Sequence, residues 1–263
     1  MDINLRITEE LGVKRWQVDA AVKLIDEGNT IPFISRYRKE ATGSLDDEQL
    51  RKLYERLLYL RNLEEKKEQV LSSIEEQGKL TEELKEQILA AKTQVQVDDL
   101  YRPFRPKRRT RATAAKEKGL EPLATLICLQ KMKEPVEKAA QQYISEEKGV
   151  LTAEEAIAGA KDIIAENISD EPVYRQHIRD YTVRHGKIVS AAKDKEESSV
   201  YEMYYEFEEP IQKLAGHRVL ALNRGEKEKF LTVKVQAPEE KLLSYLEKHI
   251  IVSENSFTAP VLK

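Results

Sequence analysis

Residues Asp98–Ala124 read DDLYRPFRPKRRTRATAAKEKGLEPLA, and the charged, helical pattern on either side stops there. Pro103 and Pro106 each remove a backbone donor and fix φ near the polyproline value. Each also biases its preceding residue, Arg102 or Arg105, towards extended backbone. Six cations (Arg102, Arg105, Lys107, Arg108, Arg109, Arg111) and no acid lie between Arg102 and Arg111. Extended, that run covers roughly 28 Å at about 3.1 Å per residue, with side chains pointing in several directions. The expectation is a basic strap, residues 98–119, between two helical blocks. Its six cations are the candidate nucleic-acid-binding residues.

Upstream of the strap, Leu50, Leu53, Leu57, Leu60, Leu63, Val70 and Ile74 recur every three or four residues, with Lys67 the one polar break. A stripe of that length predicts a helical hairpin over about 45–97. Ser44 or Asp46 caps it, Gly78 stops its first limb, and the return helix starts near Thr81 with Leu84, Ile88 and Leu89. Glu64–Glu68 reads as a solvated mixed face.

Before the hairpin, Ile3, Ile7 and Leu11 mark a short helix stopped by Gly12, and Val18, Ala21, Val22 and Ile25 a second one. The pair could be a helix-turn-helix, with Lys14, Arg15 and Trp16 at its surface. A recognition helix needs exposed polar groups at its N-terminus, and this one offers Gln17 and little else. An ordinary helical hairpin with Trp16 as a core plug is the preferred reading. The next segment, Thr30–Lys39, mixes an apolar cluster with Arg36, Arg38 and Lys39.

Downstream, helices are expected over Leu120–Lys131, from Pro135 through Tyr143, and from the Thr152/Glu155 capping box to about Asn167. Another begins at Pro172, with Val173, Ile178 and Tyr181 inward, and ends near His185. Lys187–Ala192 is open between a strand and a helical turn. The polar run Lys193–Ser199 is the preferred domain boundary. The ring cluster Tyr201, Tyr204, Tyr205 and Phe207 could stack bases, but helix packing is the preferred account. Phe230–Gln236 alternates as a strand does, and Pro238 opens a last helix. The sequence stops at Lys263 without a closing element, as a truncated chain would.

Composition fits a helical protein with wide solvated faces. Of the 263 residues 40% are hydrophobic and 35% charged, and only 10 are Gly and 9 Pro, too few for an all-β fold with many tight turns. The fold class expected is mainly α, an elongated array of helices with at most a small β element. A formal net charge of −3 means that any nucleic-acid binding must come from a local patch. Cys128 stands alone within an apolar run, so neither an intrachain disulfide nor a cysteine-based metal cluster forms; a buried, inert thiol is expected. No apolar run approaches the roughly 20 residues that cross a bilayer, and a reducing, cytoplasmic setting with no membrane partner is the default. No phosphate-cradling glycine loop, zinc-ligand spacing or nucleophile elbow is present. No catalytic residue, metal or cofactor is therefore assigned, and a binding or scaffold module is expected before an enzyme.

Three stretches together resemble one family, the bacterial Tex proteins, which are transcription accessory factors. They are IPFISRYRKEATGSLDDEQL (Ile31–Leu50), the strap segment Asp98–Ala124, and HRVLALNRGEKE (His217–Glu228). In place of the glycine pair that the family pattern has after Ala41-Thr42, this chain has Gly43-Ser44. The resemblance implies a Tex-type N-terminal helical domain over 1–195 and the start of a central helical region over 196–263, truncated before an RNase-H-like domain. It also implies nucleic acid (RNA or DNA) as partner, bound mainly through domains beyond this sequence, and the transcription machinery as a further partner. Two roles for the strap remain in competition. In one it contacts phosphates, with a salt slope of roughly −4 if all six cations meet a single strand. In the other it lashes helices together through arginine–carboxylate pairs or docks on other domains.

Overall fold

A computed structural model describes residues 2–106, 108–253 and 257–263. The chain is mainly α and divides into two compact units, Met1–Phe104 and Arg105–Lys263.

The first unit holds α1 (Ile3–Leu11), α2 (Arg15–Asp26), α3 (Ile31–Tyr37), α4 (Asp47–Glu76), α5 (Glu82–Ala90) and α6 (Gln94–Tyr101). Helix α4 is its spine. Asp46 caps it by accepting from the Gln49 amide at 2.7 Å, while the Gln49 side chain accepts from the Asp46 amide at 3.1 Å. The stripe Leu50, Leu53, Leu57, Leu60, Leu63, Val70 and Ile74 is buried, and α1, α2, α3, α5 and α6 all pack against this helix. Each such burial is worth about 1.5–3 kcal/mol. Arginines on the flanks of α4 tie down its neighbours: Arg56 grips Glu10 of α1 at 2.5 and 2.8 Å, and Arg61 grips Asp26 of α2 at 2.7 and 2.8 Å. Both carboxyls are held below their ordinary range by the hydrogen bonds from these arginines.

The expected hairpin forms with two differences. Its return limb is broken at Ala91–Thr93 into α5 and α6, each capped by a threonine (Thr81, Thr93). Lys67, expected on a solvated face, is buried. Its ammonium donates to the Leu89 carbonyl at 2.9 Å and lies 2.8 Å from Glu64. The stripe runs through Lys67, and the buried ion ties α4 to the end of α5. Trp16, expected as a core plug, is instead half exposed. Its ring lies over Gly43, where an added Cβ would sit 2.4 Å from the Trp16 Cη2 atom. Arg15 is paired with Asp2 at 2.8 Å and with Asp19 at 3.8 Å, which supports the ordinary-hairpin account of α1 and α2.

The second unit contains α7 (Arg111–Glu117), α8 (Glu121–Leu129), α9 (Val136–Ala140), α10 (Ala153–Asp170), α11 (Pro172–His185), α12 (Gly216–Lys227), α13 (Glu239–Ile250) and α14 (Ala259–Leu262). It also contains one sheet of β1 (Lys187–Ala192), β2 (Glu206–Pro210) and β3 (Leu231–Gln236), ordered β2-β1-β3 and antiparallel throughout. Lys187–Ala192 is thus the central strand. The polar run Lys193–Ser199, read from composition as a boundary, joins two paired strands, and the division into units falls after Phe104. Tyr201 and Tyr204 are buried with Leu222 and Leu231 against the sheet, so the ring cluster packs. Val173 is 63% exposed, not inward, because α11 meets α13 through Tyr174 and His177, both against Tyr245. Cys128 is exposed, since its helix turns Leu123, Ala124 and Ile127 into the core instead.

Two expectations follow for the first unit. Replacing Lys67 with Ala strands the Leu89 carbonyl and opens a cavity, and should cost about 3 kcal/mol in a denaturant melt. Gly43 and Ser44 both occupy the left-handed region, at φ 61° and 62°. Ser44→Gly should therefore stabilise by about 1 kcal/mol, whereas Gly43→Ala should destabilise by driving a methyl into Trp16.

Candidate nucleic-acid interface

The backbone of the strap follows from its caps. Helix α6 runs to Tyr101, so Asp98–Tyr101 is helical. Arg102 stays in the right-handed region (φ −52°, ψ −43°) despite preceding Pro103, because its amide reaches the Asp99 carbonyl and the Phe104 amide reaches that of Tyr101. Those turn hydrogen bonds outweigh the steric bias of the proline. Arg105 and Pro106, and then Arg108–Thr110, carry no regular secondary structure. Thr110 then restarts a helix: its hydroxyl accepts from the Thr113 amide at 3.0 Å, making Arg111 the first residue of α7. The irregular run is shorter than expected, and only its middle escapes both helices.

The candidate cations are distributed as follows. Arg102, in the first unit, is exposed, and Lys107 lies outside the described residues. Arg105 and Arg108 are exposed, and neither makes an ion pair among the described residues. Arg109 donates to Glu117 at 2.8 Å, and Arg111 sits 3.4 Å from Asp162 of α10. Their side chains stay 74% and 88% exposed, so both pairs are loose surface contacts that leave most of each guanidinium in water. Charge spacing alone could have suggested Glu117, which lies one helix length from Arg109; Asp162 is a tertiary neighbour that the local sequence does not point to.

What positions this end of the second unit is small-residue packing. Ala112 and Ala115 of α7 are buried against Ala156 and Ala160 of α10. Gly159 lets Leu120 enter between them: a Cβ there would lie 2.4 Å from Leu120 Cδ1 and 3.3 Å from Ala115 Cβ. Beside this contact is an open cleft of about 480 Å³ lined by Arg111, Lys118, Glu155 and Asp162 among others. The Lys118 ammonium is already engaged there by the Gly149 carbonyl at 2.8 Å.

A family model described as the Tex-like protein N-terminal domain matches residues 1–75, and one described as Tex central region-like matches residues 131–257. The chain belongs to the Tex family. It is 49% identical over 98% of its length to the YdcI protein of Bacillus subtilis, of which it spans 36%. It is 43% identical over 90% of its length to the transcriptional accessory protein Tex of Neisseria gonorrhoeae, spanning 31% of it. It is 30% identical over 87% of its length to the human S1 RNA-binding domain-containing protein 1, spanning 24% of it. The chain thus spans about a third or less of the length of these relatives. The strap lies between the two matched ranges.

Gly159→Val tests the packing that carries α7. Overpacking against Leu120 should cost about 1–3 kcal/mol in a thermal or denaturant melt.

Proposed function

We propose that this chain is a non-catalytic, cytoplasmic helical scaffold of a Tex-type transcription accessory protein, and that it contributes phosphate contacts to nucleic-acid binding through Arg105, Arg108, Arg109 and Arg111. The carrying observation is the state of the guanidinium groups: Arg105 and Arg108 are exposed without an ion pair among the described residues, and Arg109 and Arg111 are mostly in water. Arginine forks match phosphate oxygens bidentately. The names of two relatives, a transcriptional accessory protein and an S1 RNA-binding domain-containing protein, support nucleic acid as the ligand class. With a net charge of −3, attraction is local to the patch.

A second reading is favoured by one observation. Arg109 and Arg111 already touch carboxylates, so these two could serve packing and leave Arg105 and Arg108 for another domain or protein.

Fluorescence anisotropy of the chain with a labelled single-stranded oligonucleotide, titrated across salt, separates the two. Under the phosphate reading, Arg105→Gln with Arg108→Gln weakens binding and flattens the log–log salt slope by about 1.4, at about 0.7 per phosphate contact. Unchanged affinity at low salt rejects the strap as a nucleic-acid contact. Under the packing reading, Arg109→Gln with Arg111→Gln lowers the melting temperature and leaves affinity where it was.

A further inference from the structure

The segment Ile31–Ser44 (IPFISRYRKEATGS) places three cations and one acid on the first unit, and the strap reading makes no use of it. Helix α3 is pinned to the core by Ile34, which is fully buried. Burying that residue turns Phe33 and Tyr37, four positions apart, outward together. Their ring centroids are 5.4 Å apart, Phe33 is 36% exposed and Tyr37 66%. The Arg38 guanidinium lies over the Phe33 ring at 5.4 Å. Arg36, Arg38 and Lys39 are exposed and make no ion pair among the described residues.

The backbone under these side chains is fixed. Thr42 is fully buried and its hydroxyl donates to the Arg38 carbonyl at 3.2 Å. The Gln17 side-chain amide donates to the carbonyls of Thr42 and Gly43, each at 3.1 Å, and the Trp16 ring covers Gly43. A turn held this way spares a ligand the backbone entropy of ordering the segment that carries Arg38 and Lys39.

We propose that this surface is a stacking platform for single-stranded nucleic acid. Tyr37 would take the face of an unpaired base, Phe33 beneath its arginine would back that ring, and Arg36, Arg38 and Lys39 would take the flanking phosphates. Scattered exposed aromatics are ordinary on protein surfaces. Here two rings lie side by side with a guanidinium over one of them, two further exposed cations without an ion pair among the described residues flank them in sequence, and a polyanion with exposed π-faces is the ligand that meets both halves. The site shares its ligand class with the strap reading but stands on different residues, so the two can fail independently.

The test is anisotropy of the chain with a labelled single-stranded oligouridylate and with a duplex of the same length, across salt. Tyr37→Ala should weaken single-strand binding at least fivefold, with the salt slope unchanged, and Tyr37→Phe should restore it. Neutralising Arg36, Arg38 and Lys39 to Gln should flatten the slope by about 2. Unpaired bases should be preferred over the duplex, whose bases are already stacked. The melting temperature of Tyr37→Ala should match the parent, since the ring is mostly in water. The proposal is overturned if Tyr37→Ala binds the oligouridylate as the parent does. It is equally overturned if single strand and duplex lose affinity alike. A loss confined to Arg105→Gln with Arg108→Gln sinks the platform and leaves the strap standing. A loss confined to Tyr37→Ala and the Gln triple does the reverse.

Discussion

The first unit depends on one continuous line of contact, the buried face of α4 from Leu50 to Ile74. The neighbouring helices are short, and helices of that length are marginal alone in water. Their stability comes from tertiary burial on a shared spine, which is why five of them gather on a single long helix. A chain with 35% charged residues has little apolar surface to spend elsewhere. Its charges therefore stay on outer faces or lie along the seam, as in the Arg56–Glu10 and Arg61–Asp26 grips. Lys67 shows the limit of the pattern. A cation is accepted inside the line because a carbonyl and a carboxylate meet it there.

The second unit solves the same problem with smaller residues. Ala112, Ala115, Ala156, Gly159 and Ala160 let α7 and α10 approach closely, and Leu120 fills the space that Gly159 leaves. Close backbone approach forfeits large-side-chain burial but gains many short contacts. The result is that α7 begins at a defined point, with Thr110 as its cap and Arg111 projecting from its first turn. The strap is therefore flanked by helix on both sides and is free only in its middle.

Periodicity made most of this architecture legible. The stripe of α4 and the threonine caps at Thr81 and Thr152 act through local geometry and appear where expected, and the segment Phe230–Gln236 gives its strand, β3, although burial along it falls from Leu231 to Gln236 instead of alternating. What failed to show were outcomes set by tertiary neighbours. Trp16 looks like a core residue by type, yet Gly43 offers its ring a surface seat. The Arg102–Pro103 step looks extended, yet two turn hydrogen bonds hold it helical. The Gly43-Ser44 turn has a requirement that only dihedral angles reveal, since both residues sit at positive φ. Of the site, the cations could be named from sequence and Arg109–Glu117 lay within reach of local spacing, but Arg111–Asp162 did not, because Asp162 lies far along the chain.

Exposed arginines on a net-negative chain set a particular kind of binding. The overall field repels a polyanion, and only where cations outnumber acids within about a Debye length, roughly 8 Å at physiological salt, is the sign reversed. Each such contact is weak and steeply salt-dependent. Weak contacts gain force when they are tethered. Under the proposed function, a strand tethered by another part of a longer polypeptide would meet either patch at an effective concentration in the millimolar range. On the same proposal, each patch is only as well placed as the helices of its own unit that carry it.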